Sequence, residues 1–245
     1  MHMSQLHYLP LSPTFFSVLV GVLVALVLVL IQLGALRYAY LRIGLSPAAA
    51  IALLLGSLAG SYFNFPVFEL PAKEVMSGQE VVFFGVQYAI PVVTQWPGTV
   101  IAVNVGGAVI PVAMSLYLLF KYQLWLSGLI ATAGVTLVTH AFANPVPGLG
   151  IAEPVFVPAL ATAVIALLLA RRQAAPLAYI SGSLGTLLGA DLLNLGKVQG
   201  LGAPVASIGG AGTFDGIFLI GIVAVLIASL FGGEASPASA EPSAA

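Results

Sequence analysis

An all-α integral membrane bundle of about seven transmembrane helices, with one small extracytoplasmic β-hairpin, is the fold class this sequence predicts. Three observations predict it. The 245 residues are 60% hydrophobic and only 6% charged, where a soluble domain carries about 25% charged residues. The mean hydropathy is +1.10. The apolar residues also fall into stretches of bilayer length, because about 20 apolar residues cross a membrane core as a helix. The net charge of −1 offers nothing to nucleic acid. With no cysteine, disulfides, thiolate catalysis and zinc–sulfur sites are excluded.

Seven stretches qualify as spans: roughly 14–36, 47–65, 98–120, 124–142, 154–170, 176–195 and 213–232. The first does not read as a cleaved signal peptide. No Lys or Arg precedes it, it is long for such a segment, and Arg37 and Arg42 follow it. Between the second and third spans, residues 66–97 contain VVFFG and VQYAIPVV, rich in β-branched and aromatic residues and broken by Gly85. That pattern predicts two short strands, as a cap or as a lid at the outer end. Residues 1–232 thus form one polytopic domain. The Ala/Ser/Pro/Glu-rich stretch 233–245 predicts a disordered cytoplasmic tail.

Basic residues orient the bundle. Arg37, Arg42, Lys121, Arg171 and Arg172 fall in loops on one side, and Lys73 and Lys197 on the other. Cytoplasmic loops carry the excess of Lys and Arg. The expected topology therefore has the N-terminus outside and the C-terminus inside the cell membrane.

An internal echo runs through the chain. At an offset of 129 residues, Pro47 matches Pro176, Gly56 matches Gly185, Leu58 matches Leu187 and Gly60 matches Gly189. Repeats of this kind occur in transporters. Glycines also let helices pack closely without any repeat.

The rare polar groups carry the functional reading. Asn64 and Tyr62, Asn104, His140, Asn144, Glu153, Asp191, Asn194 and Asp215 are scattered in the chain, yet the topology collects them all on the extracytoplasmic side. Plain roles suit several of them. His140 reads as an interfacial histidine and Glu153 as a helix-start carboxylate favoured by the dipole. Asn104 suits an interhelical hydrogen bond. Asp215 suits a cap near Thr213. Asp191 resists such a role, since it sits near a helix C-terminus, where the dipole disfavours negative charge. Carboxylates in or near hydrocarbon are paired, protonated or functional.

The stretches NVGGAVIP (104–111), NPVPGLGI (144–151), YISGSLGTLLGADLLNL (179–195) and SIGGAGTFDGIFLIGI (207–222) resemble a bacterial and archaeal family of multi-spanning membrane proteins of unknown function. The resemblance covers nearly the whole chain except the tail and implies a prokaryotic membrane protein. A second resemblance concerns chemistry. Presenilin-type intramembrane aspartyl proteases carry one Asp late in a helix and a second early in the next, behind a GxGD motif. Asp191 and Asp215 have that arrangement. Here Gly210-Ala211-Gly212 is followed by Thr213 and Phe214 before Asp215, so GxGD is not matched. Pro158-Ala159-Leu160 is similar to the PAL tripeptide of those proteases, but it precedes both aspartates. Seven spans also fall short of that family's usual nine.

Two functions follow from these residues. In an aspartyl hydrolase, Asp191 and Asp215 form the catalytic dyad, with Asn104, His140, Asn194, Gly210 and Gly212 binding a transmembrane peptide. In a proton- or cation-coupled transporter, the same aspartates hold the small ion, and Asn104 with the glycine-rich 200–212 loop supplies oxygens. A metal site from His140, Glu153, Asp191 and Asp215 is a third reading without supporting spacing. Neither of the first two implies a cofactor or a resident metal. GLGAPVASIGGAG is not a nucleotide loop, because it lacks a Gly-Lys-Ser/Thr ending. The partners expected are the lipid bilayer and a peptide or ion, with no nucleic acid.

Overall fold

The computed structural model describes residues 22, 33–71, 73–83, 86–96, 98–146, 150–198, 201, 205–210 and 216–232, and for 73–96 the backbone alone. Gly212, Asp215, the tail 233–245 and most of the first apolar stretch lie outside these residues.

Helix α1 (residues 33–42) leads to α2 (Pro47–Gly60). Ser46 starts α2, since its Oγ accepts from the Ala49 amide at 3.2 Å, and Pro47 stands in the first turn. Strand β1 (Asn64–Leu70) follows, then β2 (Lys73–Phe83), β3 (Val86–Trp96) and β4 (Thr99–Asn104). A wide π-type turn, Val105–Val109, opens α3 (Ile110–Tyr122). Next come α4 (Trp125–Phe142), the short strands β5 (Asn144–Val146) and β6 (Gly150–Ala152), and α5 (Phe156–Leu169). A 3₁₀ turn, Arg171–Gln173, precedes α6 (Ala174–Thr186). A second wide turn, Leu187–Asp191, and a 3₁₀ turn, Leu192–Asn194, lead to α7 (Leu195–Val198), β7 (Val205–Ile208) and α8 (Gly216–Phe231).

The fold is mostly helical with small sheets, so the all-α expectation needs correcting. The expected hairpin is present as β2 and β3, paired antiparallel from Lys73↔Trp96 to Phe83↔Val86. A three-stranded sheet of order β1–β4–β7 was not expected. β1 and β4 are antiparallel, from Asn64↔Asn104 to Leu70↔Thr99, and β4 and β7 are parallel, from Val100↔Val205 to Val103↔Ile208. The second apolar stretch therefore stops being helical at Gly60, and the third begins as strand. The cause is that a continuous apolar run fits a buried strand and a buried helix equally, so periodicity cannot separate them.

Two described stretches, Val105–Tyr122 and Trp125–Phe142, are long and apolar enough to cross a membrane by length and composition. Pro47–Gly60, Phe156–Leu169 and Leu219–Phe231 are shorter apolar helices. The seven bilayer-length helices expected are thus not all found among the described residues.

Helix α6 is the centre of the packing. Every residue of α6 except Leu184 is buried. Its small residues make that possible. A Cβ on Gly182 would stand 3.1 Å from Gly221 Cα of α8, and one on Gly185 would stand 2.6 Å from Val135 of α4. α6 and α8 run antiparallel. A Cβ on Gly232 would stand 3.2 Å from Ala174 Cβ, Gly182 meets Gly221, and Leu187 shares a buried cluster with Ile217 and Ala108. The outer helices face the other way. Leu126 and Leu137 of α4 are 72% and 71% exposed, and Leu168 of α5 is 80% exposed.

Arg42, Lys121, Arg171 and Arg172 gather at one end of the bundle. Arg42 Nη2 donates to Ser229 O at 2.8 Å in the last turn of α8. Lys121 Nζ donates to Gly44 O at 2.6 Å, and Tyr122 Oη donates to Ile43 O at 3.1 Å. Arg171 and Arg172 form the turn beside Gly232. Two details differ from expectation. Arg37 and Arg42 lie on α1, and Lys121 lies in the last turn of α3, so these three are helical and not in loops.

The echo at 129 residues has a structural counterpart. α2 leads through β1 to β4, a glycine pair and α3, while α6 leads to β7, a glycine pair and α8. The helices match at an offset of 129 residues, whereas Val100 pairs with Val205 at an offset of 105. The difference, 24 residues, is the length of the hairpin from Lys73 to Trp96.

Candidate functional site

The site lies where β4 and β7 end. Each strand runs into a glycine pair, Gly106–Gly107 or Gly209–Gly210, and the two pairs touch. A Cβ on Gly107 would land on the carbonyl oxygen of Gly209, and one on Gly209 would stand 2.6 Å from Ala108 N. Gly209 and Gly210 also have φ of +87° and +76°, a region that glycine occupies without steric cost.

Asn104 ends β4 and is buried. Its Oδ1 accepts from Gly107 N at 2.8 Å, which caps the wide turn after the strand. Its Nδ2 donates to Ser61 O at 2.8 Å and to Asn64 Oδ1 at 3.0 Å. Ser207 Oγ of β7 donates to the same Asn64 Oδ1 at 2.6 Å. One amide thus ties the end of α2, the start of β1 and the glycine turn, and Asn64 extends the network to β7. All are neutral groups whose donors and acceptors match.

Asp191 holds the second turn. It is the last residue of the wide turn after α6, half-buried, and its Oδ2 accepts from Gly209 N at 2.7 Å. A charge-assisted bond of this kind is short and strong. Behind it stand His140 and Asn194. Asn194 Nδ2 donates to Gly189 O and to Ala190 O, both at 2.9 Å, in the widened turn. His140 Nδ1 lies 3.2 Å from Gly189 O and 3.3 Å from Asn194 Nδ2. Thr139 Oγ1 and Asn194 Oδ1 have no hydrogen-bond partner in this buried region.

The expected site residues separate into groups. Asp191, His140 and Asn194 do come together around the second wide turn. Gly210 is in the adjoining glycine pair. Asn104 belongs to the first turn, one glycine contact away. Gly212 and Asp215 lie outside the described residues. Asn144 makes only a local bond, Nδ2 to Phe142 O at 2.9 Å, and Glu153 stands just before α5. Among the described residues no three His, Cys, Asp or Glu side chains converge to hold a metal ion. Sequence reasoning missed Gly107, and it included Gly209 and Ser207 only as part of the glycine-rich 200–212 loop. The signal was present: two β-branched runs, VIAVNVGG and VASIGG, end in the same glycine pair.

The family described as "Protein of unknown function (DUF1614)" matches residues 58–227, and the chain belongs to it. The matched span runs from the end of α2 into α8 and so includes both strand–glycine–helix junctions. No curated protein and no solved structure matches the chain.

Proposed function

We propose that this chain is a multi-pass protein of a prokaryotic cell membrane in which Asp191 and Asp215 form a hydrolytic dyad acting on a transmembrane peptide. The observation that carries the reading is the Asp191–Gly209 bond. It fastens a half-buried carboxylate at the end of the central helix to the segment that reaches Asp215 six residues later. The antiparallel register of α6 and α8 supports it further. In that register Leu187, one turn before Asp191, shares a buried cluster with Ile217, which follows Asp215 by two residues in the sequence. The outward leucines of α4 and α5 suit a lipid surround, and the cations at one end suit a cytoplasmic C-terminus.

Two close carboxyl groups share one proton, because both cannot ionise together. The ionised member takes a proton from water, and the protonated member polarises the scissile carbonyl. Asn104, His140 and Asn194 hold the flanking turns in this scheme. Purified protein in liposomes should cleave a transmembrane peptide, and Asp191→Asn and Asp215→Asn should each abolish cleavage with the fold intact. The cysteine-free chain permits a direct geometric test. Asp191→Cys with Asp215→Cys should form a disulfide under mild oxidation, and a pair that never cross-links would remove the dyad.

One observation favours a second reading, a proton- or cation-coupled transporter. The two strand–glycine–helix units are built alike and meet at the site, as in transporters with internal repeats. Uptake that depends on Asp191, with no cleavage by the wild-type chain, would select it.

A further inference from the structure

From the basic end of the bundle, opposite the site, we infer a docking surface for an anionic phospholipid, centred on Arg171 and Arg172. The inference rests on the membrane reading above. Both arginines are exposed in the tight turn between α5 and α6. The carbonyl of Arg171 packs beside Gly232, so the turn abuts the C-terminal end of α8. Arg42 reaches the same helix end, through Ser229 O.

Among the described residues the charge at this end has one sign. The carboxylates among the described residues are Glu69 on β1, Glu74 and Glu80 on β2, Glu153 before α5 and Asp191 at the end of α6, all carried by the sheets or the helix ends joined to them. The arginine pair therefore has no acidic partner of its own end among the described residues. Beside it the surface is apolar: Leu168 is 80% exposed, Leu230 74% and Phe231 64%. A cationic turn above an apolar strip fits an amphiphile. The guanidinium forks match phosphate oxygens, and the acyl chain runs along the leucines. A free anion would use the arginines and leave that strip unoccupied.

The full chain is reconstituted into phosphatidylcholine nanodiscs containing spin-labelled phosphatidylglycerol or spin-labelled phosphatidylcholine. The immobilised fraction of each lipid gives a preference ratio. The expected ratio favours phosphatidylglycerol and falls by about fivefold per arginine removed in Arg171→Gln and Arg172→Gln. In the wild-type chain it should collapse at about 1 M salt, where the screening length is near 3 Å. Lys197→Gln, on the sheet end, should leave it unchanged. Inorganic phosphate at constant ionic strength should not compete. A wild-type ratio of one, or full competition by phosphate, overturns the inference while leaving the membrane reading standing. A chain that stays soluble and enters no nanodisc overturns the membrane reading itself.

Discussion

β4 and β7 lie side by side and parallel, and each passes through a glycine pair into a helix that returns to the basic end. In the first unit the glycine turn is held from within the strand, by the buried amide of Asn104 on Gly107 N. In the second it is held from the preceding helix, by the carboxylate of Asp191 on Gly209 N. The first latch is neutral and buried, and the second is ionisable and half-buried. The same backbone task is therefore done once by a group with no titration and once by a group that can exchange protons. That difference is the reason the proposed chemistry is assigned to the second junction. It also explains why the first unit can carry a 24-residue hairpin between β1 and β4, since the Asn104 latch bonds to Ser61, Asn64 and Gly107, all outside that insertion.

The comparison breaks most severely at the glycine contact. Gly107→Ala and Gly209→Ala each drive a Cβ into backbone of the other unit, and each should cost about 3 kcal/mol through overpacking, with added backbone strain at Gly209. Gly196→Ala, which meets nothing within 4 Å, should change stability by no more than about 1 kcal/mol. Thermal melts of the full chain in detergent read both. A Gly107→Ala protein melting with wild type would mean the two units do not touch.

The amide donors come next. Asn104→Asp and Asn194→Asp each turn a donor into an oxygen facing two acceptors. Each should cost about 2 kcal/mol near neutral pH, as an unmatched buried polar contact does. The loss should shrink as pH falls, because the protonated carboxyl donates again. A loss independent of pH would show that only packing was disturbed.

The two latches differ in what an isostere does. Asp191→Ala removes the acceptor of Gly209 N and should cost about 1–2 kcal/mol, while Asp191→Asn keeps an acceptor and should cost little. Amide exchange at Gly209 should quicken in the alanine variant alone. Equal exchange in both would make charge, and not the hydrogen bond, the holding force. Ser207→Ala should have the smallest effect, about 0.5–1 kcal/mol, because Asn64 Oδ1 keeps its bond from Asn104.

Composition determined the helical, strongly apolar character of this chain, and the β-branched and aromatic VVFFG and VQYAIPVV within residues 66–97 determined a hairpin. The fourth, fifth and seventh apolar stretches correspond closely to α4, α5 and α8. Rarity of charge singled out Asp191, and topology brought it near His140 and Asn194. What the tertiary structure decided was the sheet. β1, β4 and β7 show no strict apolar–polar alternation to distinguish them from helix, and their partners lie far off in the chain, Val100 with Val205. The wide turns at Val105–Val109 and Leu187–Asp191 were likewise decided by packing, since the glycines that allow them become meaningful only when another backbone arrives at contact distance. A glycine in the sequence records permission for close approach; only the folded chain determines what approaches.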